Sequence, residues 1–244
     1  MDIKSWRLGT SVGAALVLAI GIGGAGYLMG NGFSARAGNA ITVTGIAKTT
    51  ATADNVVWTL NANESSSTAS ASVRKVESSV VALKAYLSKG SIPDSAIEVG
   101  SVSTYANEEY SNGNPTGRIL SYRANQNVTV RSKDVQLIKK LSNGIGSLLQ
   151  TGVNISNYGP QYYVSTLGEL RPKLLGEAMK DAKVRAASIT KAVGGKVGAV
   201  MSVTSGPVQV TTPDSVDTSA GGMYDTSSIE KTVSVTVSVA FKTN

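Results

Sequence analysis

Apolar and polar positions change period several times along the chain, and each change marks an element. The runs Ile41-Thr42-Val43-Thr44-Gly45 and Val56-Val57-Trp58-Thr59-Leu60 are rich in β-branched and aromatic side chains and read as two short strands, with the polar interval 45–55 as the turn between them. From 65 the period lengthens. Ala69, Val73, Val76, Val80, Leu83 and Leu87 follow at alternating spacings of four and three, one stripe along an amphipathic helix over 65–89, and Lys89, Gly90 and Pro93 supply its stop. Residues 97–105 and 118–131 read as a hairpin joined by a long turn over 111–117. Val135, Ile138, Leu141, Ile145 and Leu148 then return to helical spacing, which predicts a second helix over about 133–150, terminated near Gly152.

Strand character over 154–165 leads into a third helix that reaches about 193, with Pro172 suited to its first turn, where a missing N–H costs nothing. Leu174, Ala178, Ala182, Ala186, Ile189 and Val193 are expected to line one face, and Asp181 with Arg185 forms an i,i+4 ion pair. Gly194-Gly195 ends the helix, and strands follow over 196–210 and 229–241. In the last strand Val233, Val235, Val237 and Val239 alternate with Thr232, Ser234, Thr236 and Ser238, so one face is expected to be buried and the other wet. Between these strands, 211–228 is rich in Ser, Thr, Gly and Asp and has little apolar periodicity. It is expected to be a mobile or partner-binding loop, and Pro213, Gly221, Gly222, Met223 and Tyr224 are its candidate subunit contacts.

The amino terminus has a different character. The 28 residues between Arg7 and Arg36 carry no charge, and 8–30 is long enough to cross a hydrocarbon core of about 30 Å as a helix. Lys4 and Arg7 precede it, so the positive-inside bias places 1–7 in the cytoplasm, 31–39 as a linker, and 40–244 on the far side of an inner membrane, in the periplasm or cell exterior. This is the reading of an uncleaved signal anchor. The alternative is a secretory signal removed after Ala37, because Ala35-Arg36-Ala37 has the small-x-small form; the apolar stretch exceeds the usual signal core of about 7–15 residues. Gly9 with Gly13, and Gly26 with Gly30, form two small-xxx-small pairs of the kind that lets membrane helices pack closely, although glycine is common in such helices in any case.

Composition narrows the chemistry. The chain has 244 residues, 41% hydrophobic and 16% charged, with no cysteine and no histidine. Disulfides, thiolate nucleophiles, histidine bases, haem ligation and most zinc sites are therefore excluded. The formal charge is +7, but Lys4, Arg7 and Arg36 against Asp2 account for +2 of it, and the remaining +5 contains no basic run longer than a pair. That mild bias reads as a soluble surface rather than a phosphate-backbone footprint, and with only 5% aromatic residues a base-stacking platform is not expected, so no nucleic-acid partner is expected. No spacing singles out a catalytic carboxylate pair; Glu108-Glu109 beside Tyr105 and Tyr110 reads as a solvated loop edge. Gly194-Gly195-Lys196 follows a helix, the wrong setting for a phosphate-binding loop.

Several segments, in this order, resemble the SIMPL domain (DUF541) family of bacterial and archaeal envelope proteins. Ile41-Thr42-Val43-Thr44-Gly45 is similar to the family's first strand. Tyr122-Arg123-Ala124-Asn125-Gln126-Asn127-Val128-Thr129-Val130 resembles its Gly-Tyr-x-Ala-x-x-x-Val-x-Val strand, with Ser121 in place of the usual glycine. The helix Ala178-Met179-Lys180-Asp181-Ala182-Lys183-Val184-Arg185-Ala186 and the turn Gly195-Lys196-Val197-Gly198-Ala199-Val200 resemble two further family segments. The resemblance spans nearly all of 40–244. It implies an α+β fold, with mixed or antiparallel sheets backed by about three amphipathic helices, an envelope location, and large homo-oligomers with an internal cavity. It implies no catalytic residue and no cofactor.

The expected function is thus a membrane-anchored, exported structural protein, not an enzyme, that assembles with itself into a ring or cage and touches the lipid bilayer through its N-terminal helix. The alternative is an exported binding module or hydrolase acting on envelope glycans, which requires a cleft with convergent carboxylates.

Overall fold

The computed structural model describes residues 40–244. The predicted membrane segment 8–30, with Gly9, Gly13, Gly26 and Gly30, lies outside these residues. Among the described residues no helix is long and apolar enough to cross a membrane. The described chain is α+β and divides into two compact units. A small unit is built from residues 40–47, Leu175–Gly206 and Thr236–Asn244, and a large unit from Lys48–Leu174 and Pro207–Val235.

The large unit is organised by the pairing of β2 (Asn55–Ser66) with β5 (Asn114–Ser132), which runs antiparallel from Val56↔Ser132 to Ser66↔Tyr122. Alternation puts Val56, Trp58, Leu60 and Ala62 of β2 on the same side as Ala124, Val128 and Val130 of β5, and all seven are buried. Onto that side packs α1 (Ala69–Lys89), whose Val76, Val80, Leu83 and Leu87 form the buried stripe predicted from the sequence. Each such side chain contributes about 1.5–3 kcal/mol by leaving water. The indole of Trp58 keeps its polar atom paired, donating to Asn157 Oδ1 at 2.9 Å. Helix α2 (Val135–Gly144) and the single turn α3 (Gly146–Leu149) add Val135, Ile138 and Leu148 to the same core. Short strands β3 (Ile97–Val99), β6 (Ile155–Asn157) and β7 (Gln161–Tyr163) complete the sheet, with β4 (Ser103–Ser111) alongside β5.

Several boundaries differ from expectation. Helix α1 begins at Ala69 rather than 65 because β2 stays paired through Ser66, after which the Thr68 side chain caps the helix by accepting from Ala71 N at 3.2 Å. The turn before β2 is short. β1 runs from Ala40 to Thr52, its polar residues still alternating between exposed and half-buried, so only Ala53 and Asp54 turn the chain. The β4–β5 hairpin likewise has a two-residue turn, Asn112-Gly113, with φ of 50° and 81°, the left-handed pair that suits the twist of a hairpin. The predicted second helix is split at Gly144–Gly146 into α2 and α3.

In the small unit β11 (Glu230–Thr243) is central from Thr236 onward, with β1 on one side and β8 (Val197–Ser205) antiparallel on the other. Val237, Val239 and Phe241 are buried, and the alternation extends through Val233 and Val235 as predicted. Helix α4 (Leu167–Ala192) crosses β1 so closely at Gly45 that an added Cβ there would lie 2.1 Å from Ala178 O and 2.6 Å from Ala182 N. Only glycine fits. The helix starts at Leu167, its first amides bonding back to Thr166 O, which leaves Pro172 inside the helix rather than in its first turn. Leu174, Ala178, Ala182 and Ala186 are buried as expected, but Ile189 and Val193 are exposed. The buried row advances in steps of four to Thr190, so the two larger apolar residues fall off it.

Candidate interaction surface

The segment predicted as a loop, 211–228, lies in the large unit and has two parts of different character. From Pro213 to Gly221 the residues are exposed apart from Ser215, and Val216 at 92% exposure is the most exposed large apolar residue in the described chain. From Gly222 the chain is pinned. Met223 and Tyr224 form β10, parallel to β9 (Gln209–Thr211) with Met223↔Gln209 and Tyr224↔Val210. The buried Gln209 side chain spans to the loop, donating to Ser219 O at 2.7 Å. Gly222 takes φ +92° where Val208 O and Pro207 Cβ approach within 3.3 Å of any added Cβ.

The pin itself is a buried ion pair. Lys231 sits in phase with Val233 and Val235 on the buried face of β11, and its side chain has no exposed surface. Its ammonium donates to Asp225 O at 2.5 Å and Asp225 Oδ2 at 3.1 Å and lies 5.8 Å from the centre of the Tyr224 ring. The Asp225 carboxylate also accepts from Ser227 N at 3.1 Å, Ser227 Oγ at 2.7 Å, Ser228 N at 3.1 Å and Ser228 Oγ. Burial raises the pKa of this carboxyl, but the bonds from Ser228, Ser227 and Lys231 outweigh burial and hold it well below the usual carboxylate range. Tyr224 in turn accepts at its hydroxyl from Val164 N at 2.9 Å and stacks at 5.9 Å on Tyr163. Of the five candidate contact residues, Pro213, Gly221 and Tyr224 are exposed and Gly222 and Met223 half-buried, and Gly222, Met223 and Tyr224 are tied into the unit. The sequence signal for the pin was a single lysine interrupting a valine alternation.

The second surface is the β4–β5 arm. Beyond Ala106↔Tyr122 the two strands run on to Ser111↔Asn114 with almost every residue exposed, on both faces of the ribbon. Register breaks around Glu108 bulge the arm. Tyr110 and Ile119 project from the side that, further along β5, carries the core, and Tyr105 from the other; they are 65%, 46% and 50% exposed, and Leu120 at the bulge is 51% exposed. Glu109 pairs with Arg118 at 3.4 Å in water.

Clefts of the large unit offer little chemistry. One of about 390 Å³ is lined by Asn63, Glu64, Arg123, Asn154 and Ser156; another by Glu64, Lys75 and Ser79; a third by Tyr86, Lys89, Lys140 and Leu141. None of the three brings two carboxylates together, and among the described residues no three His, Cys, Asp or Glu side chains cluster as metal ligands would. Glu64 is occupied by Ser79 Oγ at 2.7 Å. No curated protein matches the chain. Across nearly the whole described region, residues 41–241 match the family SIMPL, described as a protein of unknown function (DUF541), and the chain belongs to that family.

Proposed function

We propose that this protein is a membrane-anchored, exported structural protein of the cell envelope that assembles with itself into a large ring or cage, without a catalytic role. The anchor is the segment 8–30, an uncharged stretch of spanning length behind Lys4 and Arg7, with 1–7 in the cytoplasm and 40–244 exported. The small-residue pairs Gly9/Gly13 and Gly26/Gly30 let the anchors of neighbouring copies pack together.

The observation that carries self-assembly is the β4–β5 arm. A two-stranded ribbon wet on both faces is at best marginally stable on its own, and this one displays Tyr105, Tyr110, Ile119 and Leu120 to solvent. Aromatic and apolar side chains on a projecting element are what the centre of a protein–protein contact needs. The exposed stretch from Pro213 to Gly221, with Val216 at its tip, supplies a second surface.

The test is the mass and shape of the full-length protein extracted in mild detergent, by light scattering and single-particle imaging, repeated on a chain beginning at Ala40. A closed particle in both places the drive in the exported region, and a paired Tyr110→Ser, Ile119→Ser variant should then shrink it. A particle only with residues 1–39 moves the drive to the glycine-rich anchor. Monomers in both refute the proposal. Membrane fractionation with protease protection checks the orientation, and digestion of residues 40–244 from the cytoplasmic side would refute it.

A further inference from the structure

We infer that the outer edge of β8 is a seam at which two copies of this chain pair strand to strand, β8 against β8, about a two-fold axis. The inference rests on the self-assembly proposed above and names a surface that carries it. An edge strand presents a row of unpaired N–H and C=O groups, and proteins that stay monomeric blunt such edges by shortness, charge, proline or an intruding side chain. Other edges among the described residues are blunted. In the large unit β3, β6 and β7 are three residues each, and β4 carries Glu108 and Glu109. In the small unit the edge of β1 is met by Asp181, whose Oδ2 accepts Ile46 N at 2.9 Å while Arg185 Nε holds it at 2.7 Å.

β8 has none of these devices except two register breaks at its first half. Its nine residues, VGAVMSVTS, include no charge and no proline, and from Ala199 to Ser205 every one is exposed. Among the described residues it pairs only with β11, and Ser202–Ser205 form a regular ladder opposite 237–240. The apolar layer of the small unit also runs off this edge. Val203 stands opposite Val239 and Val200 opposite Phe241, on the side where those partners are 0% and 2% exposed, yet Val203 and Val200 are 48% and 49% exposed. Whatever pairs with β8 has to supply both backbone partners and an apolar cover for Val200 and Val203.

A second copy supplies both. Like charges facing each other are what usually prevent a strand from pairing with itself, and β8 has no charge to repel its mate. Antiparallel self-pairing satisfies two open edges at once and is isologous, the commonest form of contact between identical subunits. A two-fold axis perpendicular to the sheet keeps the helical layers of both copies on one side. Val200 and Val203 of one copy then meet those of the other in a continuous apolar layer.

Thr204 is the residue with which to test this, because it is exposed and stands opposite Ser238, on the side away from the buried valines. The full-length protein in mild detergent is compared with Thr204→Lys and Thr204→Glu, with melting curves to verify the fold. Each variant alone is expected to lower the particle mass at least two-fold, because each sets like charges across the seam, and an equimolar mixture is expected to restore it. The chain has no cysteine. Single cysteines placed in turn at Ser202, Val203 and Thr204 therefore give a second readout, in which the one nearest the axis yields a disulfide-linked dimer on oxidation even if the charged variants do not fold. A wild-type particle that keeps its mass in both charge variants and does not cross-link overturns the seam while self-assembly stands. A wild-type dimer that the variants split and the mixture restores upholds the seam and removes the ring or cage. A wild-type monomer overturns both.

Discussion

Replacing Lys231 with methionine removes a charge that has no access to water and leaves a chain of similar length in its place. The wild-type ammonium has a backbone carbonyl at 2.5 Å and a carboxylate oxygen at 3.1 Å, both from Asp225. Breaking a buried ion pair from one side costs about 3–5 kcal/mol when it strands the other charge. Here the Asp225 carboxylate keeps four donors from Ser227 and Ser228 and is 16% exposed, so the expected loss sits lower, at about 2–3 kcal/mol. For a domain of this size that lowers the melting temperature by roughly 4–12 °C. Urea unfolding measures the loss, and hydrogen exchange at Met223, Tyr224 and Asp225 should report the freed segment first. Asp225→Asn should show a reduced loss when combined with Lys231→Met, because the two changes remove one interaction. The pH dependence has a definite sign. The carboxyl of Asp225 has a lower pKa folded than unfolded, so its contribution is fully present above its ordinary value near pH 4 and is lost as pH falls through the folded value. Asp225→Asn should therefore lose less stability on acidification than wild type. A Lys231→Met protein within about 0.5 kcal/mol of wild type, with unchanged exchange, would refute the assignment of the ion pair as the pin, since changes at sites without such a role stay in that range.

Two further substitutions probe close contacts. Gly45→Ala puts a methyl 2.1 Å from Ala178 O, and because the two nearest of its three close neighbours are backbone atoms α4 itself has to move; a loss of about 2–3 kcal/mol in the small unit is expected by thermal melting, and a neutral result would mean that α4 does not cross β1 there. Thr68→Ala removes the cap of α1 and should cost about 1 kcal/mol in urea unfolding, whereas Thr68→Asn, which restores an accepting oxygen, should recover most of it.

What the sequence made legible follows from how local each signal is. The stripe Val76, Val80, Leu83, Leu87 and the alternation Val233 to Val239 are periodic over many residues, and both appear as predicted. Boundaries were read less well because long-range pairing sets them: β1 reaches Thr52 and β2 reaches Ser66 although neither end is apolar. The turn at Asn112-Gly113 was obscured by Pro115 and Gly117, which lengthen the apparent loop but lie within β5. The pinned half of 211–228 was illegible from the segment itself, whose anchors, Gln209 and Lys231, lie outside it. The exposed arm was hidden for the converse reason. Tyr110 and Ile119 look like strand residues in any sheet, and only the topology leaves both faces of their ribbon uncovered.

The division of β11 between the units bears on the order in which the chain can fold. Glu230 to Val235 belong to the large unit and Thr236 to Thr243 to the small one, so both wait for the last strand to be made. Of the described strands β1 is synthesised first and its partner last, which makes this the slowest kind of contact to close, while the β2–β5 pair and α1 can form once Ser132 has emerged. Until β11 arrives β1 has no mate among the described strands, and a nascent chain carries it as an open, nearly uncharged strand that needs shielding from its neighbours. A stop before Glu230 removes a strand from both units at once.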